Sequence, residues 1–164
     1  MADSDKSNTA EKIRETVEEY FKQEKIKYDP FNKRGVAHAT YAAEAKFGHV
    51  EIFFHAYKDM LILHFIIPLK TGKEERAKVG EFILRANYGL KVGGFDFDFD
   101  DGEVSYRVAL YCGADEFTPP TYEQIDAALS IGLMMVDKYG DALVKVMFGL
   151  AEPEDAISAA EGDD

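Results

Sequence analysis

Hydrophobic residues recur at two spacings along this chain, and each spacing predicts a different kind of element. Repeats of three and four residues predict helices that begin near Asn8 or Thr9, at Thr71 and after Thr118. Alternation of apolar and polar residues predicts strands over 36–42, 47–57 and 60–67 and a hairpin over 94–112. The element order is α-β-β-β-α-β-β-α. Since hairpins dominate, we predict an α+β fold with a mainly antiparallel sheet and helices on one face.

The link between the second and third strands sets how these strands pair. Lys58-Asp59 is a two-residue link, which predicts a tight hairpin with Phe54 opposite Leu63. In that register one face of the pair is wholly apolar and is expected to be buried. The other face is mixed, yet it is too apolar to be left to water. We therefore expect a partner to bind this second face, at Phe53, His55, Ile62, His64 and Ile66.

Two helix starts match a capping box, Thr71 with Glu74 and Thr121 with Gln124. The second of these opens a long last helix of about 30 residues, whose apolar spacing continues to Leu150. Beside its core stripe this helix carries a second apolar stripe that includes Met134 and Met135. A helix that is apolar on two sides can serve a dimer or a bound segment. We therefore add these two methionines to the expected partner-binding residues.

The later hairpin alternates phenylalanine with aspartate, which predicts one side in the core and one side in solvent. Asp101-Gly102 predicts a two-residue turn between its strands. That turn would place Arg107 opposite Asp96, a favourable cross-strand pair. Glycine in such a turn adopts a positive φ, so we expect Gly102→Val to lower the free energy of unfolding by about 1–3 kcal/mol.

The net charge of −12 is concentrated in two segments. Residues 96–103 hold five acids and residues 152–164 hold six, with no base in either, so the rest is close to neutral. This distribution offers no basic patch for nucleic acid. We interpret residues 1–8 as a disordered lead-in and 9–151 as a single α+β domain. Residues 152–164 are interpreted as an acidic tail in which 154–160 can form a short helix, and its removal is expected to leave the fold intact.

Cation binding has two candidate sites, and a structural role explains each. In the acidic hairpin no glycine directly follows the third acid and no bidentate glutamate follows at position twelve, so an EF-hand loop is not matched. His55, His64 and Glu51 share a sheet face and could bind zinc, but no ligand spacing supports the site. The other histidines, His38 and His49, have no partner that the sequence identifies. We predict no metal and no cofactor, with a ligand- or metal-sensing regulator as the alternative function.

The chain contains one cysteine, Cys112, which we interpret as a small buried hydrophobe. A lone cysteine suits a reducing compartment. The N-terminus has no signal-peptide pattern, and the apolar run at 60–69 is too short to span a membrane. No nucleophile or phosphate-binding motif is present. We therefore expect a cytoplasmic protein that is not an enzyme and has no membrane partner.

The stretch 62–112 and the element order resemble the YbjN family of bacterial proteins. The resemblance lies in an apolar strand, a helix that ends in 85–88, the segment 94–98, the segment 102–107 and a long last helix. It covers most of residues 10–150. Members of that family share a fold with the homodimeric chaperones of type III secretion. The resemblance implies a chaperone-like homodimer that presents apolar surface to a client protein, and YbjN proteins are often described as sensory transduction regulators.

Overall fold

A five-stranded antiparallel sheet forms the centre of this fold, and the helices pack on one of its faces. The computed structural model describes residues 2–162, and the statements below concern these residues. The strands are β1 (Val36–Ala42), β2 (His49–Ala56), β3 (Met60–Lys70), β4 (Gly94–Phe97) and β5 (Glu103–Tyr111). The helices are α1 (Ala2–Gln23), α2 (Arg76–Asn87), α3 (Tyr122–Met147) and α4 (Pro153–Glu161). The strand order is β1-β2-β3-β5-β4, which confirms the predicted α+β fold.

The strand register follows the hydrophobic pattern. Phe54 pairs with Leu63, as the two-residue link predicted. The predicted apolar face of β2 and β3 is buried throughout, and it comprises Val50, Ile52, Phe54, Ala56, Leu61, Leu63, Phe65 and Ile67. Helix α1 closes one end of this core, where the Phe21 ring meets the Phe54 ring edge-on at 4.8 Å. Cys112 is buried as predicted, and burial raises the pKa of its thiol.

Helix α3 begins and packs as its sequence indicates. The Thr121 side chain accepts a hydrogen bond from the Gln124 backbone N–H at 3.2 Å, and the Gln124 side chain accepts one from the Thr121 N–H at 2.8 Å. This reciprocal pair confirms the capping box. Gly132 is buried where α3 crosses Phe65 of β3, and a side chain there would overlap the phenylalanine ring. Glycine therefore allows the helix to lie close against the sheet.

The predicted capping box at Thr71 is wrong. Thr71 is buried, its N–H donates to the carbonyl of Gly102 at 2.9 Å, and its hydroxyl caps no helix. Helix α2 begins instead at Arg76, after a turn. The Gly102 carbonyl accepts from the N–H that the Glu74 side chain would bind in a capping box, so the reciprocal pair is not formed.

The β4–β5 hairpin has a longer turn than predicted. Phe97 pairs with Val104, and Asp98 N–H donates to the Glu103 carbonyl, so Arg107 lies opposite Gly94 rather than Asp96. The shift is two residues, so every side chain keeps its predicted face. The turn is stabilised locally, because carboxylates accept hydrogen bonds from the backbone N–H two residues ahead, as Asp98 does from Asp100 at 2.7 Å.

Both chain ends differ from the prediction. The backbone is helical from Ala2, so residues 2–8 extend α1 rather than forming a disordered lead-in, while Met1 lies outside the described residues. Near the other end, α4 packs against α2 and α3 and buries Pro153 and Ala156. Small apolar residues are enough to dock this short helix, whose formation the sequence indicated but whose packing it did not. The segment 152–162 is therefore part of the domain rather than a free tail, and Asp163 and Asp164 lie outside the described residues.

Deleting residues 152–164 is expected to lower the free energy of unfolding by about 2–3 kcal/mol, because several small apolar groups lose their contacts at about 1 kcal/mol each. The loss corresponds to a fall in melting temperature of about 4–12 °C for a domain of this size, measurable by calorimetry. Deleting only residues 162–164, which follow α4, is the control and should change the melting temperature very little. Equal melting temperatures for both truncations would show that α4 contributes nothing to the fold.

Candidate protein-binding face

One face of the sheet is left open by the helices. Along β2 and β3 every second side chain is buried against the helices, and the side chains between them point the other way. No element within residues 2–162 lies over this second face. We call it the open face, and its residues on the four longer strands include Val36, His38, Glu51, Phe53, His55, Met60, Ile62, His64, Ile66, Ser105, Arg107 and Ala109.

The centre of the open face is apolar and lies on the middle strands. Ile62, His64 and Ile66 lie on β3, the central strand of the sheet, and Phe53 of β2 pairs directly with His64. These side chains are half-buried. The five sheet residues predicted to bind a partner are thus brought together, as the predicted register requires.

Two histidines meet within this apolar centre. The rings of His55 and His64 lie 5.1 Å apart, on diagonal positions of neighbouring strands. Burial lowers the pKa of His55, and the nearby His64 lowers it further. Burial also lowers the pKa of His64, and among the charges around it Asp96 opposes this shift while Arg107 adds to it. Both rings are therefore neutral at pH 7 and gain charge only below pH 6.5.

A polar network borders the centre on the β1 side. His38 binds Asp29 through Nδ1 at 3.0 Å and Glu51 through Nε2, and His49 lies 3.5 Å from Glu51. Burial lowers the pKa of His38, but the hydrogen bonds and charges of the two carboxylates outweigh it, so the pKa is raised. The sequence identified no partners for His38 or His49, because the contacts depend on the β1–β2 register and on an isolated bridge from Asp29.

An ion pair borders the centre on the opposite side. The Arg107 guanidinium donates from Nε to Asp96 at 2.7 Å and from Nη2 to the other carboxylate oxygen at 3.2 Å. The predicted pairing of these residues is therefore present, although they are diagonal rather than opposite. The open face thus has an apolar centre between two polar borders, an arrangement typical of protein–protein interfaces.

Each edge of the sheet is paired at one position near the open face. On β1 the backbone of His38 exchanges two hydrogen bonds with that of Asp29, at 2.7 and 3.2 Å. On β4 the side-chain amide of Asn87 takes the place of a neighbouring strand. It donates to the Phe95 carbonyl at 2.9 Å and accepts from the Phe95 N–H at 2.7 Å. These contacts hinder a partner from adding a strand at either edge, so the face is the more accessible surface.

The two methionines predicted to bind a partner lie elsewhere. Met134 and Met135 are on α3, which packs against the covered face of the sheet. Met134 is exposed and lines a shallow depression with Glu44, Asp137 and Asp141. The predicted set of partner-binding residues is therefore divided between two surfaces. A role for the methionines in binding stays a prediction.

The candidate metal ligands are engaged in other contacts. Glu51 binds His38 and the Thr40 hydroxyl rather than the His55–His64 pair. In the acidic hairpin, Asp101 forms an ion pair with Lys70, and its other oxygen accepts from the Glu103 N–H at 2.9 Å. Within the part of the chain that the structure describes, no group of three or more His, Cys, Asp or Glu side chains is arranged to hold a metal ion.

Comparison with known proteins identifies the family to which this chain belongs. The family model of YbjN, described as a putative bacterial sensory transduction regulator, matches residues 14–145. The chain belongs to the YbjN family. A crystal structure of YbjN from E. coli, described as a putative transcription regulator, has a similar fold with a TM-score of 0.54. It shares 9% sequence identity and is matched over 82% of this chain and 88% of the other. No curated protein matches the chain.

The YbjN match fits the observed architecture. At 9% identity the solved structure supports the shared α+β fold alone. The matched range 14–145 contains the whole sheet and most of α3, and it ends before α4. None of the helices within residues 2–162 is both long and apolar enough to cross a membrane.

Proposed function

We propose that this YbjN-family protein acts by binding other protein chains rather than by catalysis, and that it forms a homodimer through the open face. The observation that carries the proposal is the uncovered sheet face, with its apolar centre and polar borders. The same residues on both copies would meet across a two-fold axis, as in most homodimers. The lone, buried Cys112 and the absence of a basic patch support a cytoplasmic protein that does not bind nucleic acid.

The size of the open face supports a second copy as its occupant. Five strands spaced about 4.8 Å apart and about eight residues long give a face of roughly 24 by 26 Å, or about 600 Å² in projection. Side-chain relief increases its accessible area. A standard protein interface buries about 800 Å² per partner, so this face is large enough for a dimer.

The proposal predicts twice the chain mass of 18.4 kDa by light scattering at tens of micromolar. Replacing Ile62 and Ile66 by threonine should weaken the dimer at least about 100-fold, because two isoleucines per copy lose burial while the β-branched shape is kept. The control is Leu150→Thr, an exposed apolar residue that follows α3. A monomeric wild type, or equal affinity for the Ile62/Ile66 variant and the control, would contradict the proposal.

The dimer should also weaken as the pH falls from 7.5 to 5.5. The pKa values of His55 and His64 lie below 6.5 in the folded chain, so protons bind these rings as the pH falls through that region. New charge beneath a partner is costly, and it would repel Arg107 and its symmetry mate. Sedimentation at both pH values tests this effect. A His55→Gln/His64→Gln variant should remain dimeric at pH 5.5, and an equal loss in that variant would assign the effect to other groups.

A ligand-sensing regulator is the second candidate function. The family description as a sensory transduction regulator favours it, and so does the close His55–His64 pair, which could respond to protons or bind a ligand on an exposed face. The two proposals differ in occupancy, because a second subunit would cover this pair whereas a sensor would leave it accessible. Imidazole NMR signals that respond to pH alike at low and high protein concentration would favour the sensor.

A further inference from the structure

A second uncovered apolar surface lies between α2 and α4. Leu84 and Tyr88 are 74% and 91% exposed, which is unusual for large apolar residues at the end of a docked helix. Glu81, Leu84 and Arg85 lie on one face of α2, at positions i, i+3 and i+4, and Tyr88 is the extended residue that directly follows the helix. Ile157 of α4 closes the other side. Together these side chains line a groove of about 450 Å³.

The walls of this groove are fixed by contacts that α4 makes with its neighbours. Glu152 binds Lys78 at 2.7 Å where α4 approaches α2, and Ala156 is buried beneath. At the other end of α4 the Tyr139 hydroxyl donates to Glu161 at 3.0 Å. The groove is therefore formed before any partner binds, which reduces the entropy that binding would cost.

The charges around the groove favour a basic partner. Glu81 and Glu161 line it, and Glu154 lies on the same stripe of α4 as Ile157 by helical spacing. Arg85 is the one base of the lining, and it is already paired with Glu81 at 2.8 Å. The segment 152–162 holds four acids and no base, and Glu152 is the one of them that pairs with Lys78. An occupant with lysine or arginine beside its apolar side chains would thus meet complementary charge.

We propose that the α2–α4 groove binds a basic amphipathic helix of a partner protein. The exposed Leu84 and Tyr88 and the half-buried Ile157 would accept the apolar face of a third helix, and the acidic border would select its basic flanks. The groove would be the place where the protein holds its client, so it rests on the proposed binding function. It does not require the dimer, because its residues lie on helices that cover the opposite face of the sheet.

The test uses a fluorescein-labelled synthetic peptide of 18 residues, built from leucine and lysine with the leucines on one helical face. Fluorescence anisotropy should show saturable binding, weakened at least tenfold by Leu84→Ala/Tyr88→Ala. These residues are exposed, so the variant should fold. Tyr111→Ala removes an aromatic side chain that is 69% exposed on the sheet and serves as the matched control, with unchanged binding expected.

Two further measurements make the result specific. A scrambled peptide of the same composition, whose leucines do not share a face, should bind at least tenfold more weakly. Equal binding of both peptides would show that the acidic protein attracts any lysine-rich peptide through charge alone. Equal binding by the groove variant and the control would overturn the groove proposal. The dimer-weakening Ile62→Thr/Ile66→Thr variant should bind the peptide as the wild type does. Loss of binding there would place the peptide site on the open face instead.

Discussion

Gly132→Val is expected to lower the free energy of unfolding by about 3 kcal/mol, because the new side chain overlaps the ring of Phe65. Phe65 is fully buried in β3, so its ring cannot move aside into solvent. Either the ring must leave its rotamer or α3 must lift from the sheet. Chemical denaturation followed by circular dichroism measures the change.

The Gly132→Ala variant tests whether a smaller side chain at this position raises or lowers the free energy of unfolding. Helix propensity alone predicts that alanine stabilises a helix by about 1 kcal/mol relative to glycine. The overlap with Phe65 predicts a net loss instead, since a single methyl already meets the ring. The control for Gly132→Val is Ala127→Val, at an exposed position of α3. It measures the cost of a β-branched residue in this helix without overlap. A stabilised Gly132→Ala variant would show that the α3–β3 contact is looser than described.

Gly102→Val is expected to cost about 4 kcal/mol, more than the turn alone implies. The glycine has a φ of 82°, where a β-branched residue is strained by about 1–3 kcal/mol. The structure adds a second effect. A Cβ on Gly102 would overlap the carbonyl oxygen of Thr71 and lie 3.0 Å from its backbone nitrogen, and these are backbone atoms that cannot rotate away. The hydrogen bond from Thr71 N–H to the Gly102 carbonyl would be disturbed as well.

Two further variants separate strain from overlap. Asparagine tolerates positive φ, so the loss that remains in Gly102→Asn measures the overlap with Thr71. Gly72→Ala is the control, because a Cβ on Gly72 would have open space for 4 Å around it and the residue has no positive φ. If Gly102→Asn is as stable as the wild type, the close approach to Thr71 has no energetic weight and the cost in valine is strain alone.

The open face and the α2–α4 groove lie on different sides of the sheet. One copy could therefore use both at once, with a second copy on the open face and a basic helix in the groove. This arrangement gives the long exposed residues Leu84 and Tyr88 a role that the fold itself does not require. The sequence contained a signal for them, because both fall off the buried stripe of α2, which comprises Val79, Gly80, Phe82, Ile83 and Ala86.

Local sequence determined most of the fold. Alternation placed β1 at Val36–Ala42 as observed, and the two-residue link set Phe54 opposite Leu63. The Thr121–Gln124 capping box could also be predicted, since it involves only residues three positions apart. Such features depend on near neighbours and on a period of two or 3.6, so they can be predicted without knowing the rest of the chain. The five open-face residues followed from the same register.

Tertiary structure decided what depends on distant residues. The Gly102 carbonyl occupies the Thr71 N–H, and α2 has Glu75 rather than the predicted Thr71 as its N-cap residue. The His38–Asp29–Glu51 contacts required three separate segments to meet. The acidic composition of 152–164 suggested a solvated tail, yet the burial of Ala156 docks it as α4. In each case the deciding contact joins groups far apart in the chain, and its free energy outweighs the local preference.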